Sequence, residues 1–229
     1  MEITFQVRNE GNRTLLLYFS GWGTTPEAVS RLSLPGGWDY CAFHDYRELP
    51  SELPDFSGYE RVYLLAWSMG VWAADSLSEK LPPLSLAVAV NGTPLPMHNR
   101  YGIPMPIFEG TLKGLDEVSR EKFDRRMVGG KKLLEVYKSF HARSTEDLKG
   151  ELLGVYDCVK NSAEDCIVRP RLPWSRAFVS GRDLIIPPAN QMAYWSESGV
   201  PVTLLEGEGH YPFLSFASWI DFFPDLRDD

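Results

Sequence analysis

The feature that most constrains the fold is a series of short apolar runs, most of them suited to burial on both faces of a sheet. The clearest run covers residues 15–20, and the other predicted early strands are residues 2–7, 39–43, 62–66 and 86–90. A segment with apolar residues at helical spacing, residues 69–80, follows the fourth run. Strands buried on both faces and joined by helices are typical of parallel sheets. The sequence therefore predicts an α/β fold with a mostly parallel sheet covered by helices on both faces.

The pattern changes in the middle of the chain. Between residues 94 and 165 no strand-like run stands out, and residues 112–143 are typical of an amphipathic, charge-rich helix broken near Gly129 and Gly130. Strand patterns return at residues 176–180 and 202–205, and helices are predicted at residues 190–197 and 213–223. We therefore predict a single domain over residues 1–229, with a helical lid at about residues 94–165 inserted between the fifth and sixth strands.

Composition argues against several classes of function. The net charge of −8 disfavours nucleic acid as a partner. No stretch approaches the roughly 20 apolar residues of a membrane span, and the first residues lack the pattern of a signal peptide. The three cysteines (Cys41, Cys158 and Cys166) have no CxxC spacing, which suits a reducing compartment and argues against a zinc site. We therefore expect a cytoplasmic protein with no metal or other cofactor.

A serine stands at the junction between the fourth strand and the following helix. The pentapeptide Ala66-Trp67-Ser68-Met69-Gly70 approximates the nucleophile elbow G-x-S-x-G, in which small residues let strand and helix pass closely around a strained serine. Ala66 is the smallest departure from glycine at the first position. A serine before a helix is also a common N-cap. The motif alone leaves both interpretations open.

A nucleophilic serine needs a base, and the chain contains four histidines. His44, His98 and His141 lie in polar loop or helix contexts, where solvated side chains are expected. His210 differs because it follows a strand in a glycine-rich turn and precedes a predicted helix near Pro212. We predict His210 as the base, although a turn histidine without a catalytic role has the same local pattern.

The carboxylate that would orient this base is predicted after the sixth strand. Asp183 lies three residues beyond that strand, in a loop that Gly181 opens. An aspartate in a turn often bonds only to its own backbone. The chain order Ser68, Asp183, His210, each residue after a strand, nevertheless matches the triad order of α/β-hydrolases.

Ester cleavage also needs an oxyanion hole, made of two backbone N–H groups that face the developing negative charge. Met69, directly after the serine, is predicted to supply one N–H group. Trp22, between two glycines after the second strand, is predicted to supply the other. We expect Trp22 and Trp67 to line the substrate pocket, whereas a tight turn with a core tryptophan remains the alternative for Trp22.

Four motifs together resemble a known family. FSGWG after a strand, AWSMG at the elbow, SGRDLIIPP and EGEGHYPF are similar to the BioG-type pimeloyl-[acyl-carrier-protein] methyl ester esterases. The resemblance implies an α/β-hydrolase that removes the methyl group of its carrier-bound substrate in biotin synthesis. It also implies that Ser68, Asp183 and His210 form the catalytic triad, and that an acyl carrier protein is the partner.

The predicted lid contains a basic run that suits such a partner. Residues 120–143 hold eight basic and three acidic residues. A basic lid on an acidic body would steer an acidic carrier protein toward the site. The candidate docking residues are Arg120, Arg125, Arg126, Lys131 and Lys132. A solvated helix face is the alternative interpretation of the same run.

Two other functions are compatible with these patterns. A serine esterase or thioesterase acting on another short acyl substrate would need the same serine, base and oxyanion hole. A non-catalytic protein of hydrolase fold that binds an acyl chain is the second alternative, and it would not need to retain all three triad residues in order.

Overall fold

One sheet of seven strands organises the described part of the chain, which in this computed structural model comprises residues 1–129, 131–138, 143–161 and 169–226. The strands are β1 (Glu2–Val7), β2 (Thr14–Phe19), β3 (Trp38–His44), β4 (Arg61–Trp67), β5 (Leu86–Val90), β6 (Arg176–Ser180) and β7 (Val202–Leu205). Their spatial order is β1-β3-β2-β4-β5-β6-β7. Only the edge pair β1 and β3 is antiparallel among these strands, and the remaining pairs are parallel. The predicted mostly parallel α/β sheet is confirmed.

The sheet separates two apolar cores because successive side chains of a strand point to opposite faces. In β2, which is buried along its whole length, Leu15, Leu17 and Phe19 pack into one core. Leu16 and Tyr18 pack into the other. This arrangement explains why the sequence of β2 is a continuous apolar run.

Helical residues pack into both cores, with Val71, Phe108, Leu152 and Trp195 in the first and Met127, Val128 and Leu134 in the second. The helix α1 (Met69–Ser76) follows β4, and α6 (Pro188–Ser198) lies between β6 and β7. Between β5 and β6 the chain forms α2 (Met105–Gly114), α3 (Glu117–Val128), α4 (Lys131–Lys138) and α5 (Thr145–Asn161). We refer to residues 105–161 as the helical segment.

The helical segment contains more boundaries than the sequence pattern indicated. The predicted break near Gly129 is present, since this glycine ends α3 with φ of +72°. A second boundary separates α2 from α3, where Asp116 and Ser119 form reciprocal side-chain caps. Side-chain capping, which depends on two residues rather than on apolar periodicity, divides the predicted long helix here.

The prediction of a C-terminal helix at residues 213–223 is wrong. The structure has short 3-10 turns at Phe213–Ser215, Trp219–Phe222 and Pro224–Leu226. Phe216 is extended, and Ser218 forms a bridge to Ser33 and caps the next turn. Phe213, Trp219, Phe222 and Phe223 are buried against the second face of the sheet. Their apolar spacing therefore reflects packing along an irregular segment and not helical periodicity.

No helix among the described residues is long and apolar enough to cross a bilayer.

The contact between α1 and β2 generates a stability prediction. A Cβ on Gly70 would lie 2.4 Å from the Phe19 carbonyl oxygen and 2.5 Å from that of Ser20, so backbone would have to move. We expect Gly70→Ala to lower the free energy of unfolding by about 1–3 kcal/mol or more. The matched control is Gly110→Ala in α2, where nothing lies within 4 Å of the added Cβ. Urea unfolding should show the control unchanged or more stable by about 0.5–1 kcal/mol. Equal effects at both positions would contradict the steric explanation.

Candidate active site

Ser68 occupies a strained turn between β4 and α1. Its backbone has φ of 55° and ψ of −121°, a region that residues with a Cβ rarely adopt. The Ser68 side chain makes no capping hydrogen bond to α1. Ser68 therefore stands at the N-cap position of α1, but its hydroxyl does not cap the helix. A Cβ on Gly92 would lie 2.4 Å from the Ser68 carbonyl oxygen, so this neighbouring turn also requires glycine.

The structure brings the three predicted triad side chains together. His210 Nε2 lies 2.8 Å from Ser68 Oγ, and His210 Nδ1 lies 2.7 Å from Asp183 Oδ2. All three residues are buried, with exposed fractions of 8% for Ser68, 4% for Asp183 and 1% for His210. Hydroxyl, imidazole and carboxylate thus form one hydrogen-bonded path, in which the carboxylate can fix the orientation of the ring.

The Asp183 carboxylate is held by two sets of donors besides the histidine. Its Oδ1 atom accepts from the backbone N–H groups of Ile185 and Ile186, at 2.8 and 3.0 Å. Its Oδ2 atom accepts from Gln191 Nε2 at 2.8 Å. Asp183 thus bonds to the backbone of its own turn and to the His210 ring at the same time. Sequence reasoning missed Gln191, whose only signal was its position inside a predicted helix.

The His210 backbone is fixed from two other strand ends. Its carbonyl oxygen accepts from the Trp67 indole N–H and from Asn91 Nδ2, both at 2.9 Å. Asn91 follows β5 with φ of 46°, is fully buried, and also accepts from the Ser180 N–H at 2.7 Å. Sequence reasoning missed Asn91, because a polar residue after a strand carries no distinctive pattern. Trp67 thus holds the histidine loop, and it also lines a cavity next to Ser68 and His210.

Two backbone N–H groups near Ser68 have no protein acceptor among the described residues. These belong to Trp22 and Met69, which are only 8% and 3% exposed. Buried backbone N–H groups are almost always paired, so two free ones beside a serine indicate a place for a ligand oxygen. Trp22 is held by its indole N–H, which donates to the Leu148 carbonyl oxygen at 2.9 Å.

An apolar pocket surrounds Ser68 and His210. Its walls come from the loop after β2, the loop after β6 and the helical segment. The apolar side chains that line it include Ile103, Ile107, Phe108, Phe123, Leu152 and Leu184. Such a lining suits a hydrocarbon chain more than a charged group.

The candidate docking residues occupy different positions. Arg126 is exposed and lines the Ser68 pocket, and Arg125 is exposed and paired with Glu121 at 2.9 Å. Arg120 is half-buried, donates to Thr145 Oγ1 at 3.3 Å, and lines a neighbouring cavity of about 470 Å³. Lys131 and Lys132 lie in α4, and their side chains are outside the described part of the chain.

The remaining histidines lie outside this constellation. His44 is the last residue of β3 and is buried, so its prediction as a solvated loop residue is wrong. Burial lowers the pKa of His44. His98 stacks on Tyr101, and burial lowers its pKa as well. His141 lies outside the described residues. Within the described residues, no group of three histidine, cysteine or acidic side chains is placed to hold a metal ion.

Comparisons with known proteins cover almost the whole chain. The model of the family described as pimeloyl-ACP methyl esterase BioG matches residues 1–222. The crystal structure of BioG from Haemophilus influenzae is 38% identical with a TM-score of 0.88, covering 97% of this chain and 99% of that one. An esterase from Exiguobacterium antarcticum has a TM-score of 0.66 at 15% identity, covering 93% and 90%, and shares the fold.

A further relative is much longer than this chain. A malonyl-[acyl-carrier protein] O-methyltransferase from Bacteroides fragilis is 36% identical over 198 residues, which are 86% of this chain and 39% of that protein. The matched part is thus one portion of a larger protein. The family is assigned by the match over residues 1–222. The sheet topology and the free N–H groups beside a buried serine agree with it. The chain is a member of the pimeloyl-ACP methyl esterase BioG family and has the α/β-hydrolase fold.

Proposed function

We propose that this chain hydrolyses the methyl ester of pimeloyl-[acyl-carrier protein] through Ser68, His210 and Asp183. The observation that carries the proposal is the hydrogen-bonded path from Ser68 Oγ through His210 to Asp183, beside two free backbone N–H groups. Each group needed for acyl transfer from an ester is within this one site.

In the first step Ser68 Oγ attacks the ester carbonyl carbon while His210 Nε2 takes the hydroxyl proton. The negative charge on the carbonyl oxygen is stabilised by the Trp22 and Met69 N–H groups. His210 then returns the proton to the departing methoxy oxygen, and methanol leaves. The product of this step is an acyl-enzyme in which the Ser68 oxygen carries the pimeloyl group.

In the second step water attacks the acyl-enzyme. His210 takes a proton from the water and later returns it to Ser68 Oγ, which releases the free carboxylic acid. Asp183 stabilises the positive charge that the imidazole carries in both steps. The donors on Asp183 from Ile185, Ile186 and Gln191 keep the carboxylate in one orientation.

The substrate assignment is supported by the family description and by the pocket. A methylene chain fits walls built from isoleucine, leucine and phenylalanine side chains. The relative from Bacteroides fragilis is named for adding a methyl group to a carrier-bound acid. A chain of the present kind inside that longer protein supports a role in removing such a methyl group.

We also propose that the chain is one domain over residues 1–229 in which the helical segment acts as a lid. Phe108, Phe123 and Leu152 of this segment contribute to the Ser68 pocket. Of the candidate docking residues, Arg126 and Arg125 are exposed on α3, and Arg126 is next to the pocket. We propose this end of α3 as the region that meets the acidic carrier protein.

The first prediction tests the nucleophile. Ser68→Ala should lower the turnover of the methyl ester by about 10³-fold or more, because Ser68 supplies the only hydroxyl bonded to the His210 ring among the described residues. Intact-protein mass spectrometry with a fluorophosphonate should label the wild type and not this variant. Ser78→Ala, a serine just beyond the end of α1, is the control and should retain activity and labelling. Activity of Ser68→Ala within tenfold of the wild type would exclude the mechanism.

The second prediction tests the support of Asp183. Gln191→Met removes one donor to a buried carboxylate, and a hydrogen bond to a charged group contributes about 1.5–3 kcal/mol. We expect kcat to fall about tenfold or more, measured by methanol release. Asn190→Ala removes an adjacent amide that bonds to the Asn99 and Gly102 carbonyl oxygens instead, and it should leave kcat nearly unchanged. Equal kcat values for the two variants would contradict the role of Gln191.

The third prediction tests docking. Reversing Arg125 and Arg126 to glutamate should weaken turnover of the carrier-linked ester and spare a small free ester, since docking charges act on encounter and register. Added salt should reproduce the effect, because exposed charges are screened over about 8 Å at physiological ionic strength. Arg61→Glu, at the opposite end of β4 from Ser68, is the control. Equal losses on both substrates would indicate a damaged pocket, and no loss would remove α3 from the docking surface.

A further inference from the structure

The loop that carries the Trp22 N–H is attached to the helical segment rather than to the sheet alone. The Trp22 indole donates to the Leu148 carbonyl oxygen of α5 at 2.9 Å. The next residue, Gly23, has φ of +74°, and a Cβ there would lie 2.8 Å from Leu148 Cδ2. The loop at Trp22 and Gly23 therefore packs directly against α5, with no room for a side chain at Gly23.

A single carboxylate of α5 joins this loop to the loop after β3. Glu151 Oε2 accepts from the Gly23 N–H at 3.2 Å, and Glu151 Oε1 accepts from the Tyr46 N–H at 3.0 Å. Glu151 is fully buried. Its two oxygens therefore bridge two loops that are separate in sequence.

Tyr46 completes the attachment on the other side of Trp22. Its hydroxyl donates to the Ser20 carbonyl oxygen at 2.7 Å, directly before the Gly21–Trp22 pair. The Ser20–Gly21 peptide before Trp22 is therefore held through Tyr46, and the Trp22–Gly23 peptide after it is held through Glu151. A Cβ on Gly154 would lie 2.3 Å from the Arg47 carbonyl oxygen, so α5 is in direct contact with the same loop.

The buried charge of Glu151 is balanced within the same region. Arg143, whose side chain is 9% exposed, donates to Glu151 and Asp147 and lies 3.2 Å from Asp45. Burial raises the pKa of the Glu151 carboxyl, and the nearby Arg143 opposes that shift. A buried carboxylate with a cation partner and two backbone donors retains its hydrogen bonds without an uncompensated charge. Arg143 belongs to the basic run of the sequence. Its guanidinium group pairs with acidic side chains of this cluster and does not face a docking partner.

We propose that Glu151 is a positioning residue that holds the Trp22 N–H in the oxyanion hole and thereby makes the helical segment part of the catalytic apparatus. This inference rests on the proposed function. The contact is indirect, through the Gly23 peptide. Its effect should fall on kcat, because an oxyanion donor interacts most strongly with the charge that develops in the transition state.

Glu151→Gln is the most informative variant, since it keeps shape and replaces one acceptor oxygen by a donor. Either the Gly23 or the Tyr46 N–H then loses its acceptor. With p-nitrophenyl butyrate we expect kcat per folded molecule to fall about 10–100-fold, below the 10²–10³-fold typical of losing a whole oxyanion donor, while KM changes less than about twofold. The rate of fluorophosphonate labelling of Ser68 should fall by a similar factor.

Asp147→Asn is the matched control. Asp147 pairs with Arg143 and Arg47 in the same cluster, and no contact joins it to Gly23 or Tyr46 among the described residues. It should lower the melting temperature but leave kcat within about threefold. Should Glu151→Gln fail to fold, Tyr46→Phe is the second variant. It removes the hydroxyl that contacts the Ser20 and Phe43 carbonyl oxygens, keeps the Tyr46 N–H bond to Glu151, and should lower kcat about 3–10-fold.

The outcomes separate the two proposals. Equal kcat per folded molecule for Glu151→Gln, Asp147→Asn and the wild type, with Tyr46→Phe unaffected, would overturn the role of Glu151. Loss of kcat in Glu151→Gln without a comparable loss in Asp147→Asn supports it. Wild-type hydrolysis of p-nitrophenyl butyrate without hydrolysis of the carrier-linked methyl ester would overturn the proposed substrate and leave the Glu151 comparison valid.

Discussion

The close passage of backbone around Ser68 is the constraint on which the rest of the site depends. The serine keeps a positive φ because α1 lies against the end of β2 and because the turn after β5 lies against the serine carbonyl. Gly70 and Gly92 make both approaches possible, since a Cβ at either position would overlap backbone atoms. A strained conformation persists only where its surroundings determine it from several sides. The packing at Gly70 and Gly92 both strains the Ser68 backbone and directs the Ser68 hydroxyl toward His210.

Parallel strands end at one edge of the sheet, and this geometry collects the site from distant parts of the chain. The loops after β2, β4, β6 and β7 supply Trp22, Ser68, Asp183 and His210 respectively. The loop after β5 supplies no reacting group, but its Asn91 bonds to the carbonyl oxygen of His210. The Gln191 amide bonds to the Asp183 carboxylate, and the Asn91 amide and Trp67 indole bond to the His210 carbonyl oxygen. These donors are neutral, so they fix the orientation of both residues without adding charge to the site.

The helical segment combines two kinds of charged residue with different consequences. Arg125 and Arg126 lie exposed on α3, where solvent screens them and where a partner can reach them. Glu151 is buried between α5 and the loops after β2 and β3, and its partner Arg143 is largely shielded from solvent; this pair connects parts of the structure. A count of basic residues along the sequence cannot separate these cases. Position relative to the sheet decides whether a charged side chain is open to solvent or enclosed between elements of the fold.

Local patterns in the sequence determined much of this protein. The bounds of β1, β5, β6 and β7 follow from apolar runs, and the order of Ser68, Asp183 and His210 after successive strands indicated a hydrolase site. Tertiary structure decided the rest: the burial of His44, the irregular C-terminal segment, and the support from Asn91, Gln191 and Glu151. Asn91 and His210 are 119 residues apart, and Glu151 and Gly23 are 128 apart. Periodicity reports which face of one element is buried, whereas hydrogen bonds between distant loops exist only after the sheet has brought those loops to the same edge.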